Sequence, residues 1–101
     1  MPKANITNEV ISLDLKEKRI LGKYILYICD EFSSYISAEV INNKRPDTII
    51  KALHKRWIRE GPGLPMKGIF SDMGGEFRNS EMIEMAQKYD INLNFTAGYS
   101  P

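Results

Sequence analysis

Two aspartates sit where their surroundings disfavour a carboxylate. Asp14 lies in the run Val10 to Lys16, VISLDLK, among Ile11, Leu13 and Leu15. Alternation along a strand puts those three side chains on one face and Asp14 on the other. Acidic residues are depleted in strands, so Asp14 calls for a compensating partner. Asp72 follows Ile69, Phe70 and Ser71 and precedes Gly74-Gly75. An apolar run entering a glycine pair reads as a buried strand that stops and turns. Its carboxylate is then left at the strand's C-terminal tip, where open α/β sheets hold ligands. Taken alone, that run equally supports an Asp that caps the turn by bonding its own backbone two residues on. If the two strands are parallel neighbours, the carboxylates come within ~4.8 Å of each other. At that distance they repel unless a proton or a cation lies between them. A divalent ion with oxygen-only ligands, magnesium or manganese, suits such a pair.

The elements that must position them follow from periodicity and punctuation. Glu9 to Lys16 reads as a first strand, Glu17 to Lys23 as a charged turn around Gly22, and Met1 to Asn8 as a frayed arm. Tyr24 to Asp30, YILYICD, is apolar on both faces, the pattern of a central strand covered on two sides. Ser34 to Ile41 reads as a third, antiparallel edge strand. Pro46-Asp47 suits a helix N-terminus, and Ile49, Ile50, Leu53 and Trp57 recur at helical spacing. Gly61-Pro62-Gly63 stops that helix. Met66 to Ser71 is the fourth strand. A second helix, capped by Asn79 or Ser80, turns Met82, Ile83, Met85, Ala86 and Tyr89 inward. Asn92 to Thr96 is the fifth strand, and Gly98 to Pro101 begins a loop.

Composition bounds the function classes. The 101 residues, 43% hydrophobic and 27% charged, suit a single domain that buries roughly 60–70% of its unfolded surface. A net charge of +1 gives no global pull on nucleic acid, so any such contact must come from local patches. One Cys and one His exclude a disulfide framework and an internal zinc site. The polar start shows no signal peptide and no apolar run is long enough to span a bilayer, so an intracellular protein without membrane contact is expected.

The ordered series VISLDLKEKRILGKYILYICDEFSSYISAEVI, PDTIIKAL, GIFSDMGGEF and TAGYSP resembles the retroviral-type integrase catalytic core. It is nearest to integrases of long-terminal-repeat retrotransposons. Each piece is weakly specific, and their order over nearly the whole chain carries the resemblance. It implies an α/β, ribonuclease H-like fold: a mixed five-stranded sheet of order 3-2-1-4-5 with two helices. Residues 1–101 would then be a partial catalytic core domain that lacks the fold's C-terminal helices. In that family two Asp and one Glu bind two metal ions, Mg2+ or Mn2+, and Asp14 and Asp72 match the first two ligands. The matching Glu would fall shortly beyond the TAGYSP segment, and Met73 stands where the family has Asn. The implied reactions are 3′-end processing of element DNA and strand transfer into a target. Implied partners are DNA, further copies of the chain and the remainder of an integrase, and the implied location is the nucleus. With two of three carboxylates, the chain by itself is expected to be inactive. The alternative is a non-catalytic integrase-derived remnant that binds DNA or a protein. A plain ribonuclease H-like nuclease would need acids on the first helix, where Lys51, Leu53, His54 and Lys55 stand.

Strand order also sorts the remaining candidates. Asp30 should pair near Glu9, about 16 Å from Asp14, as a turn-former bonding Ser33 or Ser34. Glu76 reaches Asp72 only if the glycine pair folds back. His54 is expected to be solvated and Cys29 buried. Lys51, Lys55, Arg56 and Arg59 lie off the apolar stripe, where a solvated helix face is the default over a DNA contact. Right-handed crossovers put both helices on one face of the sheet, leaving the other face open.

Overall fold

The computed structural model describes residues 4–18, 21–64, 67–72 and 74–96. β1 (Val10–Lys18) and β2 (Lys23–Asp30) form a hairpin, and β3 (Ile36–Ile41) adds antiparallel to β2. α1 (Pro46–Leu53) continues without a break as a π-helical segment, His54–Arg59. β4 (Gly68–Ser71), α2 (Ser80–Lys88) and β5 (Asn92–Phe95) complete the order. The sheet runs β3-β2-β1-β4-β5, with β1–β4 and β4–β5 parallel. That is the expected mixed five-stranded sheet with two helices.

Alternation decides the core. Ile11, Leu13, Leu26, Ile28, Ile41 and Ile69 share one face and pack against Ile49, Leu53, Trp57, Met82, Met85 and Ala86 of the helices. The opposite face carries Ile25, Tyr27, Cys29 and Phe70, all partly exposed, and Ile36 and Val40, 58% and 57% exposed. Among the described residues no element covers it.

Several boundaries moved. β1 runs two residues past Lys16, because its pairing with β2 continues to Lys18↔Lys23. Met66, the expected start of β4, and the loop from Gly98 to Pro101 lie outside the described residues. Ile83 is 43% exposed rather than inward, since α2 needs only Met82, Met85 and Ala86 to meet the sheet. Asn79 is the cap: its Oδ1 accepts from the Met82 N–H at 2.9 Å.

The arm before β1 is tied down where it is described. Asn8 adopts a left-handed conformation, φ 64°, which Asn tolerates better than most side chains. Its N–H donates to Asp30 Oδ1 at 2.8 Å, its Oδ1 accepts from the Trp57 indole at 2.9 Å, and its Nδ2 donates to the Leu64 carbonyl at 2.9 Å. Asn8 thus links the strand layer to the end of the helix. The helix end is tight: a Cβ on Gly61 would meet the Arg56 carbonyl oxygen at 2.7 Å.

Candidate functional site

The parallel ladder between β1 and β4 fixes the relation of the two aspartates. Its last pair is Ser12↔Phe70; Asp14 lies two residues past Ser12 and Asp72 two past Phe70. The two acids therefore stand at equal register on adjacent strands, just past the last paired rung. Leu13 beside Asp14, and Ser71 beside Asp72, are buried toward the helices. Both carboxylates consequently face the uncovered side, and both are exposed.

Each has one partner among the described residues. Lys16 Nζ lies 3.5 Å from Asp14 Oδ2, with the side chains 60% and 57% exposed, an ion pair too solvated to hold the carboxylate firmly. The Gly74 N–H donates to Asp72 Oδ1 at 2.9 Å. That is the bond to the backbone two residues on that the sequence allowed; it coexists with the strand-tip position. Asp14 Oδ1 and Asp72 Oδ2 have no partner among the described residues. Met73 lies outside them.

Glu76 lies against Gly74. Both of its carboxylate oxygens come within 2.7 Å of where a Gly74 Cβ would be, so this approach depends on glycine there. Even so, no three His, Cys, Asp or Glu side chains gather as metal ligands among the described residues.

Asp30 is excluded on two counts. It pairs with Ile11 rather than with Glu9, which puts it three residues, about 10 Å, from Asp14 rather than 16 Å. It also faces the helix side, 1% exposed. Its Oδ2 accepts from the Ser33 N–H at 3.0 Å and from the Ser33 hydroxyl, the turn role anticipated for it. Burial pushes this carboxyl up, but the hydrogen bonds from Ser33, Asn8 and Phe32 outweigh it and hold it below the usual range.

Two other expectations needed correction. Cys29 is half-buried on the open face, its thiol pushed up by partial burial and by Glu31 and Asp30. His54 is not simply solvated: its ring packs 5.7 Å from that of Tyr89 and lines the cavities beside α1. Neither Asn8's role nor the salt bridge of Lys67 to Glu9, 2.9 Å, was visible in sequence. Each joins residues about fifty or more positions apart and leaves no local pattern. The Lys67 ammonium lowers the Glu9 carboxyl, and the Glu9 carbonyl accepts from the N–H groups of Lys67 and Gly68. Together these clamp the start of β4 to β1, setting the register that aligns the two aspartates.

Residues 4–101 match the family described as integrase core domain. Among solved structures, the chain is similar to the HTLV-2 integrase catalytic core domain, a trimeric form in complex with magnesium. The TM-score is 0.80 at 21% identity, over 93% of this chain and 63% of that one. The chain therefore spans less than two thirds of the structure it resembles. No curated protein matches it.

Proposed function

The chain belongs to the integrase core domain family, and from that premise we propose that it is a partial catalytic core of DNA integration whose phosphodiester chemistry is organised by Asp14 and Asp72. One observation carries the reading: two exposed carboxylates at equal register on adjacent parallel strands, each with an oxygen that has no partner among the described residues. Hard oxygen donors of this kind fit Mg2+ or Mn2+. Bound divalent ions supply stabilisation of the attacking and leaving oxygens in an in-line displacement at phosphorus.

The chain's own residues do the positioning. The Gly74 N–H orients Asp72, and Lys16 balances Asp14 until a cation takes its place. The open side toward which both point admits a DNA backbone. The reactions proposed are 3′-end processing and strand transfer, with DNA, further copies of the chain and the remainder of a longer integrase as partners, in the nucleus. That the HTLV-2 core was seen as a magnesium-bound trimer supports both the ion and the association. Among the described residues no helix is long and apolar enough to cross a membrane. A second reading, DNA binding without cutting, is favoured by a donor set of two among the described residues.

Titration with magnesium or manganese, followed by amide NMR, tests the site. Signals around Asp14 and Asp72 should shift together, and Asp14→Asn should abolish the response. Shifts confined to Asp30 and Glu31 would sink the assignment. In a strand-transfer assay these 101 residues should join no DNA ends. Metal-dependent joining that is lost in Asp72→Asn would instead make Glu76 the third ligand.

A further inference from the structure

The two edges of the sheet are unlike. β3 carries an acid, Glu39, whose carboxylate lies near Lys55 and Arg56. β5, Asn92-Leu93-Asn94-Phe95, carries neither charge nor proline, and its register with β4 runs without a bulge. Edges are commonly guarded by those devices, because an unguarded one pairs with a strand that meets it. β5 has only its shortness.

Its backbone shows which groups are spare. The Asn92 N–H donates to the Lys67 carbonyl at 2.8 Å, and the Thr96 N–H to the Ser71 carbonyl at 2.9 Å. In a parallel ladder alternate residues turn their backbone groups to the neighbouring strand. Asn94 is in phase with those two, so Leu93 and Phe95 aim N–H and C=O at the outer edge. No strand among the described residues pairs there. Leu93 and Phe95 are in register with Ile69 and Ser71, which are buried toward the helices. Their side chains therefore lie on the α2 side, and both are partly exposed. Beside them is a cavity of about 270 Å³ lined mainly by Ile83, Ala86, Ile91, Leu93 and Phe95. Ile83, the 43% exposed residue of α2, belongs to this cavity rather than to the core.

We infer that this edge pairs with the same edge of a second copy, antiparallel about a two-fold axis at Asn94. The pattern is its own complement. Leu93 falls opposite Phe95 of the second copy, and Phe95 opposite its Leu93. Residues facing in this way exchange both of their backbone bonds. On the helix side the same two pairs set an aliphatic chain against an aromatic ring, a favourable cross-strand match. Ile83 of each copy then fills the valley between the two α2 helices. On the other side Asn94 meets Asn94 and Asn92 meets Thr96, so no like charges oppose each other. A foreign strand must match this spacing, whereas a second copy does so by symmetry. An isologous contact uses up the edge in both copies and stops at the dimer. The inference goes beyond the integration reading and does not depend on it.

Solvent exchange of backbone amides, followed by NMR over a dilution series, tests this. A four-residue edge buries less than a standard interface, so a Kd on the order of 10⁻⁴ M is expected. From about 10 µM to about 1 mM the unpaired fraction then falls roughly four-fold, and exchange at Leu93 and Phe95 should slow by that factor. The Asn92, Asn94 and Thr96 amides, on the β4 side, should not change. Asn94→Lys and Asn94→Glu, each alone, should abolish the slowing, since like charges then face each other across the axis. An equimolar mixture of the two should restore it. Circular dichroism melts confirm that both variants are folded. Val40→Lys, at the opposite edge of the sheet, should leave the slowing intact; its loss there would trace association to the open face and overturn the edge. Protection of Leu93 and Phe95 that is equal at every concentration would mean that the chain's own residues cover this edge, and fast exchange at every concentration that nothing does. Either result overturns pairing between copies, and slowing that survives in both Asn94 variants overturns the two-fold at Asn94.

Discussion

Asp14 and Asp30 lie on paired strands three residues apart in register, yet they lead opposite lives. Asp30 is buried and accepts hydrogen bonds from Ser33 and Asn8. Asp14 is more than half exposed and has one solvated ion pair. A carboxylate held by several hydrogen bonds from the protein has little left for a ligand; one left open on an exposed strand face does. The strand's alternation makes that choice, since an odd number of residues separates the two in register and sends their side chains to opposite faces.

The sharpest way to break this contrast is to remove each acid and compare stability. Asp30→Ala strips the partner from the backbone N–H groups of Asn8 and Ser33 and from the Ser33 hydroxyl, and should cost about 2–4 kcal/mol in a urea or thermal melt. In a domain whose net stability is ~5–15 kcal/mol, that is a large share. The pH dependence follows from the direction of the shift. With its folded value below its unfolded one, Asp30 contributes stability that is present above the unfolded value, near 3.9. It is lost as pH falls through the lower folded value. Asp30→Asn should therefore blunt the acid limb of a stability–pH curve and leave the neutral region parallel to the parent's, displaced downward. An unchanged acid limb would show that other carboxylates dominate acid unfolding.

How much of this was legible beforehand divides along the same line. The strands themselves follow from period-two patterns and glycine punctuation. The order 3-2-1-4-5, which makes neighbours of Asp14 and Asp72, comes from the family resemblance, and the open face from the handedness of crossovers on that order. Pattern and handedness are local or topological signals. Asn8, Glu9 and Lys67 act through partners far along the chain, and their residue types are ordinary for loops and strand ends. The π-helical winding was likewise invisible. It leaves the apolar positions Ile49, Leu53 and Trp57 at helical spacing, and reveals itself only through which outer residues end up together.

The two faces of the sheet offer a second comparison, with a smaller effect. The covered face holds the buried core, whereas Ile36 and Val40 on the other are more than half exposed, beside Ile25, Tyr27 and Cys29 of β2. Burying two or three such side chains gains ~1.5–3 kcal/mol each at most, from which the cost of association must be subtracted. Weak self-association, with Kd on the order of 10⁻⁴ M, is expected. Light scattering at several concentrations, together with hydrophobic-dye binding, measures it; Val40→Lys should reduce both signals without lowering the melting temperature. A strictly monomeric, dye-silent chain would show that this face is not sticky.

The smallest expected effect is the most telling for the aspartate pair. Asp14→Asn should change stability by no more than about 0.5 kcal/mol, the range for exposed positions away from special features. Two small terms oppose each other. The ion pair with Lys16 is lost, worth ~0.2–1 kcal/mol when exposed, while relief of repulsion from Asp72 at equal register returns a similar amount. Millimolar magnesium should separate parent from variant, because a ligand that binds only the folded state raises stability as RT ln(1 + [L]/Kd). The parent's melting temperature should climb with magnesium and that of Asp14→Asn should not. If both climb equally, the ion is bound elsewhere. If Asp14→Asn is destabilised as much as Asp30→Ala even without metal, Asp14 belongs with the structural acids and the contrast between the two fails.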